Sequence, residues 1–154
     1  MYKFSEKEIE NIIIDNLETI EPKLRLLRRQ YNFAQRGRID LLCLDRHNNL
    51  VIIEIKTYAR PGSIYQLLKY PELLIQRFPK YNKKFRLILC FLKGSLETRD
   101  LCILNGVLPL KFKYSSLFIA KKKLELKLKV DLDYDMNLFM ESHNLSKQFF
   151  SDKH

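Results

Sequence analysis

Apolar and polar positions along the chain change rhythm from segment to segment, and the changes mark its elements. Ser5 followed by Glu8 forms a capping box that opens a helix running to about Ile20, with Pro22 beyond it. At 100° per residue, Ile9, Ile13, Leu17 and Ile20 line one stripe of that helix. Glu6 falls in line with the stripe, Glu10 lies on its flank, and Glu8 points away. Glu6 is therefore the helix carboxylate expected to look inward. Leu24 to Tyr31 reads as an arginine-rich strand. Arg38 to Leu44 and Leu50 to Lys56 read as two buried strands. Pro61-Gly62 breaks the chain, and Ser63 can cap a helix through Lys69. Pro71 either kinks that helix or starts a second one reaching Arg77. Phe85 to Phe91 is a short buried strand. Ser95 can cap a helix to Leu104, closed by Asn105-Gly106, and Val107 to Phe112 is a further strand. Lys121 to Val130 alternates charged residues with Leu124, Leu126, Leu128 and Val130, which predicts a half-exposed edge strand. Asp135 to Phe150 is expected to form a final helix. The order helix, three strands, helix, strand, helix, strand predicts an α/β sheet with helices on both faces. Residues 1–112 are expected to be the core. Residues 113–154 would form an extension of the same domain, of a kind suited to a dimer contact.

Three charges interrupt the two buried runs. Asp40 sits in Arg38-Ile39-Asp40-Leu41-Leu42-Cys43-Leu44, and Glu54 and Lys56 end Leu50-Val51-Ile52-Ile53-Glu54-Ile55-Lys56. A charge among buried apolar residues is costly unless it is paired or holds a metal. Residues 45–49 (Asp45, Arg46, His47, Asn48, Asn49) form a five-residue hairpin loop. If Leu44 pairs with Leu50, Asp40 falls opposite Glu54. Side chains alternate along a strand, so Lys56 shares the Glu54 face and Asp40 joins them. A one-residue slip would turn Asp40 away.

Two carboxylates so placed make a hard, oxygen-rich site suited to Mg²⁺ or Mn²⁺. The Ile55 carbonyl can add a third oxygen and Glu6 a fourth. A metal there lowers the pKa of bound water and polarises a phosphoryl oxygen. Lys56 can orient that water or offset charge developing on phosphate. Gln66 and Tyr70 are four apart, share a helix face, and can contact the water, a phosphate oxygen or Lys56. His47, His143 and His154 are scattered, so zinc and catalytic-triad chemistry fit poorly.

The chain has 154 residues and a formal net charge of +10, an excess that points to a polyanionic partner, most simply nucleic acid. Arg25, Arg28, Arg29, Arg36, Arg38 and Lys69 are candidate phosphate contacts, joined by Lys80, Lys83, Lys84 and Lys93. No apolar run reaches membrane-spanning length, and Met1-Tyr2-Lys3-Phe4 lacks a signal-peptide core. Cys43, Cys90 and Cys102 lack metal-ligand spacing and read as small buried hydrophobes. A cytoplasmic protein is expected.

Here the motifs add up to a resemblance. Asp40 followed by Glu54-Ile55-Lys56 resembles the core of the PD-(D/E)XK nuclease superfamily. Glu6-Lys7-Glu8-Ile9-Glu10, residues 15–22, Gly37-Arg38-Ile39-Asp40, residues 51–56 and Gln66-Leu67-Leu68-Lys69-Tyr70 together resemble the C-terminal nuclease domain of archaeal NucS/EndoMS endonucleases. The resemblance covers roughly residues 5 to 110. It implies a restriction-endonuclease-like mixed sheet flanked by helices in an αβββαβ core, with a C-terminal strand and helix added. It also implies metal-dependent cleavage of DNA. Asp40 and Glu54 would bind metal, Lys56 would serve catalysis, and Glu6, Gln66 and Tyr70 would support them. That family's separate N-terminal DNA-binding domain has no counterpart here, so a compact stand-alone nuclease from a virus or mobile element is the expectation, acting in the host cytoplasm if viral.

Each residue has a plainer reading on its own. Asp40 can be an exposed hairpin carboxylate beside Arg38, and Glu54 with Lys56 can be the solvated face of an edge strand. The set together favours a divalent-metal-dependent DNA endonuclease. A structure-selective junction resolvase, which would need a homodimer to cut two strands symmetrically, is one alternative. A non-catalytic DNA-binding module on a nuclease scaffold is another. In either case binding to a polyanion should weaken steeply with salt. The slope of log affinity against log salt concentration measures this, and a flat line would show that the excess charge takes no part.

Overall fold

The computed structural model describes residues 2–134, the last seven by backbone alone. The described chain divides into two units, the first reaching Lys113 and the second beginning at Tyr114. In the first, α1 (Glu6–Asp15) and the single turn α2 (Leu17–Ile20) lead into β1 (Arg25–Asn32), β2 (Arg38–Leu44) and β3 (Leu50–Ala59). Then come α3 (Pro61–Arg77), β4 (Phe85–Gly94), α4 (Leu96–Leu104) and β5 (Val107–Lys111). The strands form one mixed sheet in the order β1-β2-β3-β4-β5. The first three run antiparallel. α3 and α4 are the crossovers that make β3, β4 and β5 parallel.

The sheet is centred on β3. Val51, Ile52, Ile53 and Ile55 are all buried, as expected of a strand covered on both faces. Leu44 pairs with Leu50, and the ladder continues to Leu41 with Ile53. This is the register that the five-residue loop predicts.

The loop itself is held by Asp45. Its Oδ1 accepts the N–H groups of His47 and Asn49 at 2.9 Å each, and its Oδ2 accepts Asn49 Nδ2 at 3.0 Å and Arg86 at 3.2 Å. Arg86 also grips Glu21 through both guanidinium nitrogens, at 2.6 and 2.8 Å. This ties α2's exit to β4 and the hairpin.

Three elements differ from expectation. The first helix stops at Asp15, because the Asn16 carboxamide donates to the Ile12 carbonyl and ends the run, leaving Leu17–Ile20 as a separate turn. α3 begins at Pro61, two residues before Ser63, since proline suits the first helical turn. It then runs through Pro71 unbroken. The apolar face of Ile64, Leu67, Leu73 and Leu74 is buried around the missing hydrogen bond and holds the helix together. The alternating segment Lys121–Val130 is no strand. It lies within α5 (Tyr114–Tyr134) of the second unit. Lys, Leu and Glu are strong helix formers, and Glu125 pairs with Lys121 and Lys122 at helical spacings. The helix expected over 135–150 falls outside the described residues.

Buried Asp45 shows how firmly the loop is fixed. Burial alone would raise its pKa, but the hydrogen bonds from Asn49, His47 and Arg86 outweigh it and bring the carboxyl down to about 2. The folded pKa lies below the unfolded one, so this stabilisation is complete above about pH 4 and is lost as the pH falls through about 2. Asp45→Asn should therefore cost about 2 kcal/mol at pH 7. The gap to the native protein should close between about pH 4 and pH 2, as read from urea midpoints.

Candidate active site

The β2–β3 ladder has its last pair at Leu41 and Ile53. Asp40 and Glu54 would come next. There a side chain replaces a main-chain partner, since Asp40 Oδ2 accepts the Ile55 N–H at 2.8 Å. This brings the Asp40 carboxylate within hydrogen-bond reach of Glu54. Glu54 is 3% exposed, and its Oε2 is buried without a hydrogen bond. Desolvation, then Asp40 and Glu6, push its carboxyl up to about 9, while Lys56 pulls the other way. Lys56 is half-buried on the same strand.

An unsatisfied buried carboxyl oxygen beside a second carboxylate has the chemistry of a hard-cation site. Among the described residues, no three His, Cys, Asp or Glu side chains stand together as a metal-holding group. Asp40 and Glu54 would thus supply two side-chain oxygens. The Ile55 carbonyl, water and substrate would complete the set, which suits an ion that keeps several waters.

The other candidates fall at varied distances from this pair. Glu6 is exposed on the wall of an open cleft of about 330 Å³, which is also lined by Lys7, Arg38, Asp40 and Ile55. Glu10, not Glu6, is the helix carboxylate that turns inward, at 5% exposure. Tyr70 is fully buried. Its hydroxyl donates to the Arg38 carbonyl at 2.7 Å and accepts from Gln66 Nε2 at 3.0 Å. Burial, then Glu54, raise its pKa to about 12, so it stays a donor at neutral pH. Gly37 permits this contact. Its φ of 123° is open only to glycine, and a Cβ there would come within 3.3 Å of the Tyr70 ring.

Several expected phosphate contacts are engaged within the protein. Arg29 binds Glu10 at 2.9 Å and Asn11 at 2.8 Å, and Arg36 binds Gln76 at 3.1 Å. Arg28 lies over the Tyr31 ring and Lys69 over that of Tyr70. Arg38 is exposed at the cleft.

Sequence reasoning missed Glu10 and Gln30. Gln30 Nε2 donates to Glu10 Oε2 at 2.7 Å and stands 3.5 Å from Asp40 Oδ1, the outer edge of hydrogen-bond range. The one available signal was the register of β1 on β2, which sets Gln30 opposite Asp40.

Comparison with known proteins places the fold and the family. The model of the endonuclease NucS C-terminal domain family matches residues 5–91. The endonuclease NucS of Streptomyces avermitilis is 35% identical over 69 residues, covering 45% of this chain and 30% of that protein. That of Rhodococcus erythropolis gives 35% over 69 residues with the same coverage. The chain thus spans under a third of the length of these curated relatives. A repair endonuclease from Pyrococcus abyssi superposes with a TM-score of 0.61 at 24% identity, over 73% of this chain and 49% of that one. EndoMS in complex with double-stranded DNA gives 0.60 at 27% identity, over 73% and 47%. The mixed sheet with flanking helices is the fold these structures share.

The raised pKa of Glu54 gives a test of its environment. The folded pKa of Glu54 lies above its ordinary value of 4.5. Folding is therefore penalised progressively as pH rises from about 5 to about 9. In chelator, the native melting temperature should fall across that range, and Glu54→Gln should remove the slope and melt roughly 5 °C higher at pH 8. An identical slope in both proteins would show that Glu54 is not the group whose ionisation burial and its neighbours oppose.

Proposed function

The chain belongs to the family of endonuclease NucS C-terminal domains, and from that premise we propose that it is a divalent-metal-dependent DNA endonuclease hydrolysing phosphodiester bonds at Asp40 and Glu54. The observation that carries this reading is the buried Glu54 carboxyl, with an orphaned oxygen, set against Asp40 inside an otherwise apolar strand. Such a costly group persists where function retains it. The match of the family model and the likeness to a DNA-bound EndoMS structure support DNA as the substrate. So does the net charge of +10.

Asp40 and Glu54 would hold Mg²⁺ or Mn²⁺, with the Ile55 carbonyl as a third oxygen. When bound, such an ion supplies Lewis acidity, lowering the pKa of a water and polarising the phosphoryl oxygens. The Ile55 N–H keeps Asp40 turned toward Glu54. Lys56 sets a positive charge beside the pair, where it offsets charge growing on the phosphate as the P–O bond breaks. Tyr70, braced by Gln66, anchors the start of β2 at the Arg38 carbonyl, two residues from Asp40. Arg38 and Lys7, exposed on the cleft wall, are placed to meet phosphates flanking the scissile bond.

Asp40→Ala and Glu54→Ala should each lower DNA cleavage by about a thousandfold or more in Mg²⁺ or Mn²⁺. Binding to the same DNA should stay close to native. The assay is a panel of labelled single-stranded, duplex and branched DNAs with and without metal, paired with calorimetric titration of Mn²⁺. Full cleavage by either variant would refute the assignment. A native protein that binds DNA but neither cuts it nor takes up Mn²⁺ would be a non-catalytic module. Symmetric cutting of branched DNA by a dimer in light scattering would make it a junction resolvase.

A further inference from the structure

Gln30 holds a conformation that β1 does not require of it. Its φ is 54°, in the left-handed region. That region is unfavourable for a residue with a Cβ and is kept only where the surroundings enforce it. Consecutive side chains in an extended strand point to opposite faces, so Arg29 and Gln30 should not reach a common partner. The left-handed backbone swings Gln30 round, and both side chains end on Glu10. Arg29 Nε sits 2.9 Å from Oε1, and Gln30 Nε2 sits 2.7 Å from Oε2. The same amide nitrogen stands 3.5 Å from Asp40 Oδ1.

The register agrees, since Arg29 faces Leu41 and Tyr31 faces Ile39, which sets Gln30 opposite Asp40. The amide oxygen of Gln30 is buried and has no hydrogen bond. One residue thus combines a strained backbone, an unsatisfied acceptor and an amide set between two carboxylates. No need of the sheet accounts for the three together.

We propose that Gln30, fastened to Glu10, is the positioning residue for Asp40. It fixes Oδ1 while the Ile55 N–H fixes Oδ2, so that the carboxylate is presented to a divalent cation in one orientation. This deepens, and rests on, the reading of Asp40 and Glu54 as metal ligands. The residue type follows from the charges around it. A carboxylate at position 30 would face two others. A lysine or arginine would pair with Asp40 and compete with the cation. A neutral amide holds Asp40 without discharging it. Arg29, itself held by Asn11, keeps Glu10 in place, so the amide has a fixed support.

The decisive variant is Gln30→Gly, which removes the amide and relaxes the left-handed backbone. A purely structural role predicts a lower melting temperature. The positioning role predicts a melting temperature in chelator that is unchanged or higher. With it should come a Mn²⁺ affinity, by calorimetry without DNA, weaker by roughly 10- to 100-fold. kcat should fall while KM for DNA holds. Glu10→Gln, which keeps an acceptor for the amide, should stay near native, whereas Glu10→Ala should follow Gln30→Gly. Native Mn²⁺ affinity in Gln30→Gly, or a loss that only tracks a lower melting temperature, overturns the inference. Asp40→Ala separates the two levels. If it keeps Mn²⁺, the ligand reading itself falls. If it loses Mn²⁺ while Gln30→Gly keeps it, only the role of Gln30 falls.

Discussion

One exchange of hydrogen-bond partners organises the site: the Ile55 N–H is bound by the Asp40 side chain rather than by the neighbouring strand. Had the β2–β3 ladder run on past Leu41 and Ile53, main-chain carbonyls would have taken the N–H groups and the carboxylates could have turned away. Instead the strand that is most buried in the sheet carries Glu54 in its interior and draws Asp40 against it. Ionising such a pair is unfavourable in the empty protein. The apolar residues of β3 on either side of Glu54 hold the group there despite that cost.

Two buried carboxylates at opposite ends of the same hairpin differ in what surrounds them. Asp45 accepts four hydrogen bonds, and its pKa falls below the ordinary range. Glu54 keeps a bare oxygen, and its pKa climbs far above. Burial penalises both alike, so the direction of each shift is set by partners. Asp45 has been given donors within the chain, which closes the loop. Glu54 has been given another acid, which leaves it in need of a cation from outside. That contrast sets the two ends of the hairpin apart without reference to any relative.

How much of this was legible in the sequence follows from how local each determinant is. The turn-forming loop between two apolar runs fixes the Leu44–Leu50 register, and the register puts Asp40, Glu54 and Lys56 together. All of that lies within about twenty residues. The helix stripe favours Glu6 as the inward carboxylate of α1, yet Glu10 is the buried one. Glu10 turns in because Arg29 and Gln30, from a strand nearly twenty residues on, bind it. The left-handed backbone at Gln30 has no glycine to announce it. In the Lys121–Val130 segment the alternation suggested a strand, while helix propensity and i,i+4 pairing decided otherwise. Pro71 looked like a break, yet the apolar face on both sides of it carried the helix through.

The basic residues divide along the same line between local contacts and the global field. Arg29 is committed to Glu10, Arg86 to Glu21 and Asp45, and Arg36 to Gln76, while Arg28 and Arg77 lie over aromatic rings. These side chains are engaged by other groups of the protein. Their charge is not lost by such pairing, because an ion pair removes one positive and one negative count together and the net +10 already includes both. The long-range pull on a polyanion, and with it the salt dependence, therefore survives the internal use of the arginines. What the internal contacts reduce is the number of donors free to fix a strand in register. Register falls to the few cations exposed beside the carboxylates, Lys7 and Arg38 above all. On the proposed reading, a duplex would be attracted by the net charge but aligned from the cleft wall that holds Lys7 and Arg38, the arrangement expected of a surface that reads the backbone rather than the bases.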